Sequence, residues 1–300
     1  MRAGQTLSQL TGNLLFKLEE HFKSSPADLI LAHGDTTTCF ATAISSFYHK
    51  IPFFHVEAGL RTYRLNSPFP EEFNRQTIAP IAAHHFAPTD LEKNNLVKDG
   101  ISTSRITISG TTVHDAVMSM KNRTKNNLIS EVDFQNRPIV TVTLHRREAD
   151  QLIYQTLDGI KTAAQEKFDI LFFCPVHPNP KIKEAFQTLK GLKNVFLTEP
   201  MDYPNFISLL MKSTLVVTDS GGVQEEAAFL GKSVLIARAE TERTDGMESG
   251  LVKLVGNSAK QVHQSIIEEI SNKKTHGFYS SRPSPSASKI ISDYVEKVIG

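Results

Sequence analysis

The chain has only two cysteines, Cys39 and Cys174, and no tryptophan. Neither cysteine belongs to a Cys-x-x-Cys pair or to a Cys/His ligand spacing, so the pattern gives no support to a cysteine-based metal site. Both lie in apolar segments, which predicts buried and reduced thiols.

Long apolar runs and excess charge are also missing. No apolar run approaches the length of a membrane span, and the N-terminus lacks the basic and apolar regions of a signal peptide. The 33 Lys and Arg nearly balance the 32 Asp and Glu, so the sequence predicts no general attraction to nucleic acid or anionic membrane. A cytoplasmic location is the simplest expectation. A GxGxxG motif is absent, and nicotinamide binding therefore has no support.

The 300 residues alternate between apolar runs and segments of helical spacing, which is the pattern of βαβ units. Strands are predicted at 29–33, 53–56, 84–88, 106–109, 139–144, 170–174, 195–197, 215–218, 234–237 and 251–255. Helices are predicted at 7–22, 38–49, 71–83, 89–98, 203–212, 223–230 and 287–298. Three more are predicted without both ends: one near 114, one that ends at 166 and one that begins after 180.

A polar stretch without strands, KNRTKNNLISEVDFQNRP, interrupts this alternation and predicts a domain boundary. We therefore expect an N-terminal Rossmann-like domain at 1–124 and a C-terminal one at 125–280. A final helix within 281–300 is expected to pack back toward the N-terminal domain. The fold class is α/β, with two Rossmann-like domains facing a cleft.

Carboxylates follow the first two predicted strands and begin the helix after the second. They are Asp35, Glu57 and Glu71. Parallel strands open into loops at their carboxyl ends, and ligands of open α/β sheets bind outside those ends. The arrangement therefore indicates acid/base chemistry in a crevice.

The segment SGGVQEEAAFLGK follows the apolar strand TLVVTD and runs into a helix. Backbone N–H groups at Gly221 and Gly222, together with the helix N-terminus, would suit a phosphate. Glu226, one turn into the helix, could then accept hydrogen bonds from ribose hydroxyls. The alternative is an ordinary Gly-Gly turn before a helix, with acids favoured by the helix dipole.

Three further strand-end loops carry cationic or imidazole side chains. TLHRRE offers His145 and Arg146, CPVHPNP offers His177, and TERTDG offers Arg243. Guanidinium groups suit phosphate recognition, although each loop alone could equally be a solvated surface with weak ion pairs. Taken together, they favour a cleft for a phosphorylated ligand. Metal binding has little support, because the adjacent His84 and His85 would point to opposite faces of a strand.

Seven motifs, in this order and spacing, resemble those of the non-hydrolysing UDP-N-acetylglucosamine 2-epimerases: HGDTTT, HVEAGLRT, SPFPEEFNR, HRRE, PVHPNP, TDSGGVQEE and TER. The resemblance covers roughly 4–298. It implies a fold of the glycosyltransferase-B type, with the nucleotide held mainly by the C-terminal domain. It also implies reversible conversion of UDP-GlcNAc to UDP-N-acetylmannosamine for surface polysaccharide precursors.

The resemblance also implies a role for each matching residue. The catalytic positions are Asp35, Glu57, Glu71 and His145. The positions expected to grip the UDP are Ser220, Gly221, Gly222, Glu226 and Arg243. The positions resembling a site for a second, activating UDP-GlcNAc are Gln5, Arg146 and His177.

The implied chemistry is elimination of UDP to 2-acetamidoglucal, followed by re-addition with the proton delivered to the other face of C2. One carboxylate acts as base and another group as acid, and Arg and His groups stabilise the departing diphosphate. No cofactor or metal is required. The expected partners are UDP-GlcNAc, as substrate and activator, and a second copy of the chain in a homodimer.

The sequence departs from the family pattern at its start. The family opens with a strand and a Gly-Thr-Arg-Pro-Glu type loop, and this chain begins at about the point of a later GQSL-like segment. On the order of 50–70 residues, or two βαβ steps, are therefore expected to be missing, which would leave 29–33 as an exposed apolar edge strand. The N-terminal domain is accordingly expected to be incomplete.

Two alternatives follow for the function. One is a catalytically impaired homologue that only binds UDP-sugar. The other is a hydrolysing 2-epimerase that releases UDP and free N-acetylmannosamine. The sequence does not fix the substituents of the sugar at C3 and C6, so related UDP-sugars also stay open as substrates.

Overall fold

The computed structural model describes residues 5–121, 137–145, 150–238, 250–256, 258–272 and 286–300. The chain divides into two compact units. Unit 1 comprises 1–112 together with 283–300, and unit 2 comprises 113–282. The predicted domain boundaries at 124/125 and 280/281 lie outside the described residues.

Unit 1 contains a parallel sheet whose strand order is the order of the sequence. Its strands are β1 (Ile30–His33), β2 (Phe53–Val56), β3 (His84–Ala87) and β4 (Ile106–Ile108). Its helices are α1 (Leu7–Ser24), α2 (Thr37–Tyr48), α3 (Glu71–Ile81) and α4 (Asp90–Lys98), and α11 (Ala287–Ile299) returns from the far end of the chain. Helical crossovers between parallel strands explain the strict alternation in the sequence.

The two faces of this sheet are buried by different helices. On one face, Phe53 packs with Cys39 of α2 and Ile78 of α3. On the other face, Phe54 and Phe86 form a cluster with residues of α11. Successive strand residues point to opposite faces, so a sheet that is covered on both faces buries every position of its inner strands.

Strand β1 lies at the edge of the described sheet, as expected. Burial alternates along it between intermediate and exposed, and Leu31 is 48% exposed. The buried strands β2 and β3, by contrast, have four buried residues each.

Unit 2 contains a six-stranded parallel sheet in the order β10-β9-β8-β5-β6-β7. Its strands are β5 (Ile139–Thr143), β6 (Leu171–Pro175), β7 (Val195–Thr198), β8 (Leu215–Thr218), β9 (Ser233–Ile236) and β10 (Val252–Leu254). Its helices are α5 (Thr112–Lys121), α6 (Asp150–Glu166), α7 (Pro180–Phe186), α8 (Tyr203–Lys212), α9 (Gly221–Phe229) and α10 (Ala259–Ser271). The order reverses between β5 and β8, which is where doubly wound folds bind ligands.

All ten predicted strands are present, with ends that differ by one residue at most from the prediction. The predicted helix at 71–83 ends earlier, at Ile81, because the Ala83 N–H donates to Phe53 O and so already belongs to the sheet. The predicted helix at 223–230 starts earlier, at Gly221, because Ser220 caps it. Helix α10 was not predicted, although Val262 and Ile266 have helical spacing and are buried.

Both cysteines are free and buried, as predicted. Burial raises the pKa of the Cys39 thiol to about 12, and the nearby charges of Asp35 and Glu57 add to this effect. Cys39 is therefore a protonated core residue and not a nucleophile. Among the described helices, none combines the length and apolarity needed to cross a bilayer.

Candidate active site

Asp35 and Glu57 lie together at the carboxyl edge of the unit 1 sheet. Asp35 follows β1 and Glu57 follows β2, and these two strands pair in parallel. A Cβ atom built on Gly34 would stand 3.2 Å from Glu57 Oε2, so the Glu57 carboxylate lies directly over the loop that carries Asp35. The structure thus brings together two of the three predicted carboxylates.

Glu57 occupies an unusual backbone conformation, with φ of 62°. Residues other than glycine rarely adopt this left-handed backbone conformation, and those that do are concentrated at functional sites. Its side chain is 11% exposed, and Oε2 lies 3.9 Å from Nδ1 of His33.

Asp35 is held from three sides. Arg75 Nε donates to its Oδ2 at 2.8 Å, and Arg75 Nη2 forms an ion pair with the same oxygen at 2.7 Å. Asn74 Nδ2 donates to the Asp35 carbonyl at 2.8 Å, and His55 Nε2 contacts the carbonyl of the preceding Gly34 at 2.7 Å. Burial lowers the pKa of His55 to about 4, so the imidazole is neutral and its Nε2–H is the donor.

Glu71 is the first residue of α3 and is partly exposed. Helical spacing puts it on the same face as Asn74 and Arg75, the two residues that contact Asp35. The next residue, Glu72, differs sharply because it is completely buried and accepts hydrogen bonds from the backbone of Thr62 and Tyr63. The two adjacent glutamates therefore have separate roles, which the sequence alone does not distinguish.

His145 lies just beyond β5 in unit 2 and pairs with Asp219, which lies just beyond β8. The imidazole Nδ1 is 2.9 Å from Asp219 Oδ1, and the His145 backbone N–H donates to the same carboxylate. Asp219 is 3% exposed, whereas the His145 side chain is 44% exposed. The carboxylate thus holds the hydrogen on Nδ1 and leaves Nε2 accessible for proton transfer.

Asp219 is itself fixed in place. Arg238, which is buried, donates from Nε to the Asp219 carbonyl at 2.6 Å. His177, predicted for an activator site, follows β6, and its ring centroid lies 6.2 Å from that of His145. The Asn179 N–H donates to Nδ1 of His177, so its Nε2 carries the hydrogen when the ring is neutral.

Ser220, Gly221 and Gly222 form the start of α9. Ser220 is the N-cap, and its Oγ accepts from the Val223 N–H at 3.4 Å. Among the described residues, a Cβ on Gly222 would meet only Ser220 Oγ, at 4.0 Å, so these residues leave the side of the first turn open. The N–H groups of this turn and the helix dipole favour an anion here.

Glu226 is on α9, and Tyr203 begins the neighbouring helix α8. Burial raises the pKa of the Glu226 carboxyl to about 7, and the neighbouring Tyr203 hydroxyl only partly opposes the rise. The carboxyl therefore changes charge near neutral pH, which is common for groups at functional sites.

Three remaining predicted residues are quickly placed. Arg146 and Arg243 lie outside the described residues. Gln5 is partly exposed and precedes Thr6, the N-cap of α1. No group of three His, Cys, Asp or Glu side chains within the described ranges could hold a metal ion.

Sequence reasoning missed three residues that support the predicted ones. They are Arg75, Asp219 and Tyr203. Arg75 and Asp219 lie inside the motifs SPFPEEFNR and TDSGGVQEE, so the motifs contained the signal, but nothing in them paired Arg75 with Asp35 or Asp219 with His145. Tyr203 carried no signal beyond its place at a helix start.

Each unit is a parallel α/β sheet with polar side chains gathered at its carboxyl edge, the architecture of proteins that bind nucleotides and nucleotide-sugars. The family model described as UDP-N-acetylglucosamine 2-epimerase matches 1–291. The chain belongs to this family.

Individual relatives agree with this assignment. The chain is 39% identical over 283 residues to the UDP-N-acetylglucosamine 2-epimerase of Escherichia coli, covering 90% of this chain and 73% of that one. The crystal structure of the Neisseria meningitidis UDP-GlcNAc 2-epimerase bound to UDP-GlcNAc superposes with a TM-score of 0.91 at 36% identity, covering 99% and 84% of the two chains.

A more distant relative has the same fold. The Methanocaldococcus jannaschii UDP-GlcNAc 2-epimerase in complex with UDP-GlcNAc and UDP gives a TM-score of 0.83 at 29% identity, covering 98% of this chain and 82% of that one. The predicted membership of the UDP-N-acetylglucosamine 2-epimerases and the glycosyltransferase-B type of fold are thereby confirmed, and the non-hydrolysing type stays a prediction.

Proposed function

We propose that this chain interconverts UDP-GlcNAc and UDP-N-acetylmannosamine without net hydrolysis. A carboxylate removes the proton from C2 while the C1–O bond to UDP breaks, which forms 2-acetamidoglucal and UDP. The β-phosphate oxygen then adds back to C1, and an acid delivers a proton to the opposite face of C2. The atoms balance without any redox partner.

The observation that carries the proposal is the pair of carboxylates at one sheet edge. Asp35 and Glu57 follow adjacent parallel strands, and the Glu57 carboxylate covers the Asp35 loop. Inversion at C2 needs a base and an acid on opposite faces of one carbon, and two carboxyl groups on separate loops suit that need. Glu71, on the α3 face that contacts Asp35, is the third candidate.

In unit 2, the proposed role is to bind and release UDP. Ser220, Gly221 and Gly222 would receive the diphosphate at the start of α9, and Glu226 would accept the ribose hydroxyls. His145, with Nδ1 held by Asp219, would donate from Nε2 to the leaving diphosphate. Arg243 is proposed as a further UDP ligand.

The first experiment is incubation of the chain with UDP-GlcNAc in D₂O, followed by proton NMR at C2. Deuterium at C2 together with UDP-N-acetylmannosamine supports elimination and re-addition. Free N-acetylmannosamine would instead indicate a hydrolysing enzyme. Binding of UDP-GlcNAc without any exchange would indicate a protein that only binds the UDP-sugar.

Asp35→Asn and Glu57→Gln variants test the two carboxylates. Each should lower kcat by roughly 100-fold or more, because general acid/base groups contribute about that much. The dissociation constant for UDP-GlcNAc should change little. Full turnover in either variant would remove that residue from the acid/base roles.

We further propose a cytoplasmic homodimer that supplies precursors for surface polysaccharide, with a second UDP-GlcNAc acting as activator through Gln5, Arg146 and His177. Helices α1 and α2 pack on each other and leave Phe16, Phe47 and Tyr48 at least 63% exposed, which suits a contact with another copy. Light scattering would test the dimer. Loss of sigmoidal substrate dependence in His177→Ala would test the activator site.

A further inference from the structure

Arg75 is a buried cation shared by two carboxylates. Its side chain is 4% exposed. Its Nε donates to Asp35 Oδ2 at 2.8 Å, its Nη2 lies 2.7 Å from the same oxygen, and its Nη1 donates to Glu72 Oε2 at 3.3 Å. Within the described residues, Asp35 Oδ1 receives no hydrogen bond. Arg75 therefore fixes one oxygen of a candidate acid/base group and leaves the other available.

Glu72 is a permanent counter-charge for Arg75. Oε1 accepts from the Tyr63 N–H at 3.0 Å and from Gln76 Nε2 at 2.8 Å, while Oε2 accepts from the Thr62 N–H at 3.0 Å. Burial favours the neutral acid, but the hydrogen bonds from Gln76, Thr62 and Tyr63 and the Arg75 charge outweigh it, so the pKa of Glu72 lies below its usual range. Glu72 thus stays ionised at neutral pH.

This counter-charge has a specific consequence for acid/base catalysis. A carboxylate that acts as a base becomes neutral when it takes up a proton. If Asp35 became neutral and Glu72 were absent, Arg75 would lose both of these carboxylate partners, which is unfavourable for a buried cation. Because Glu72 remains ionised, Arg75 keeps a partner and its position throughout the cycle.

We propose that Arg75 is a positioning residue that orients the Asp35 carboxylate for proton transfer through Oδ1, and that Glu72 holds Arg75 in place while Asp35 changes its protonation. This inference rests on the proposed function, since it gives Asp35 an acid/base role. The Asp35 main chain is fixed independently by Asn74 and His55, so loss of Arg75 should free only the carboxylate.

A second buried arginine in the same unit provides a matched control. Arg61 donates from Nε to Asp99 Oδ2 at 2.8 Å, and its side chain is 1% exposed. The Nε–Oδ2 distance is 2.8 Å in both pairs and both arginines are buried, but Asp99 has no proposed part in the reaction. Arg61→Gln therefore reports what the loss of a buried ion pair does to the fold alone.

The test compares Arg75→Gln, Arg75→Lys, Glu72→Gln and Arg61→Gln in the full chain. C2 proton exchange of UDP-GlcNAc in D₂O gives kcat and KM, and calorimetry gives the dissociation constant. Arg75→Gln should lower kcat by roughly 100-fold, because misplacement of a catalytic group costs about that much. Binding should stay within about threefold. Arg61→Gln should keep the wild-type kcat per folded molecule.

The conservative variants extend the test. Lysine keeps the charge but offers a single ammonium in place of the planar guanidinium, so Arg75→Lys should lower kcat by about tenfold. Glu72→Gln should lower kcat by a similar factor. In the Asp35→Asn background, Arg75→Gln should lower kcat little further, because a residue that acts through the Asp35 carboxylate then has no carboxylate to orient.

Three outcomes would overturn the inference. The first is a folded Arg75→Gln variant with the wild-type kcat, and the second is a double variant in which the kcat reductions of Arg75→Gln and Asp35→Asn multiply in full. The third applies if Arg75→Gln does not fold, and it is a folded Arg75→Lys variant with unchanged kcat. Failure of the proposed function looks different, because the wild-type chain itself would then exchange no proton at C2.

Discussion

If Glu226 accepts the ribose hydroxyls, as proposed, the affinity for the nucleotide-sugar should depend on pH in a predictable direction. Burial on α9 raises the pKa of its carboxyl to about 7. An ionised carboxylate accepts hydrogen bonds from both ribose hydroxyls, whereas the neutral acid must offer its own hydrogen. UDP-GlcNAc should therefore bind better as the pH rises through 7, because the fraction of ionised Glu226 increases.

The size of this effect follows from the position of the pKa. With a pKa of about 7, roughly one molecule in ten has Glu226 ionised at about pH 6 and nine in ten at about pH 8. If only the ionised form binds, the apparent dissociation constant falls about tenfold between these two pH values. The diphosphate diester of UDP-GlcNAc keeps its charge over the range, so the change reports on the protein.

Isothermal titration calorimetry of the wild type and of Glu226→Gln measures the effect directly. The glutamine variant should bind weakly, with an affinity that no longer follows the ionisation of this carboxyl. Glu184→Gln, which alters an exposed glutamate of the same unit, should retain the wild-type pH dependence. A wild-type affinity that does not change with pH, or a full tenfold change that persists in Glu226→Gln, would refute the assignment.

Further variants probe the other parts of the structure. Asp219→Asn should lower kcat by roughly 100-fold or more with little change in KM, because the amide no longer fixes the hydrogen of His145 on Nδ1. Nitrogen NMR of the His145 ring should then show a mixture of tautomers. A single tautomer, unchanged from the wild type, would contradict this prediction. Gly59→Ala should lower the free energy of unfolding by roughly 3 kcal/mol or more, because its Cβ would stand 2.3 Å from the Glu92 carbonyl oxygen and φ is +96°. Gly12→Ala, in an open helical position, should raise that free energy by about 1 kcal/mol, and urea denaturation measures both.

Strands were the most predictable part of the fold. Most are short apolar runs next to Gly, Pro or polar loop residues, which is the pattern of strands that are buried on both sheet faces. Helix ends were less predictable, because they depend on single contacts such as the Ser220 cap on α9. Helix α10 was missed although Val262 and Ile266 have helical spacing, so its pattern was present in the sequence.

For the candidate site, the sequence indicated which residue types gather at the strand ends but not how they pair. Asp35 and Arg75 are 40 positions apart, and His145 and Asp219 are 74 apart. Such pairs depend on strand order, which local patterns do not contain. Nor could the pattern EE reveal that Glu72 is buried while Glu71 is partly exposed, because that difference depends on the Thr62–Tyr63 backbone.

Helix α11 is synthesised long after the sheet that it covers. It belongs to unit 1, where Tyr294 stacks on His84 at 3.9 Å and packs against Phe54 and Phe86, yet the ribosome makes it only after all of unit 2. During synthesis, one face of the unit 1 sheet therefore lacks its covering helix until the end of the chain has been made. For that interval helix α11 cannot cover the aromatic side chains of β2 and β3, and transiently exposed apolar surface of this kind is prone to aggregation.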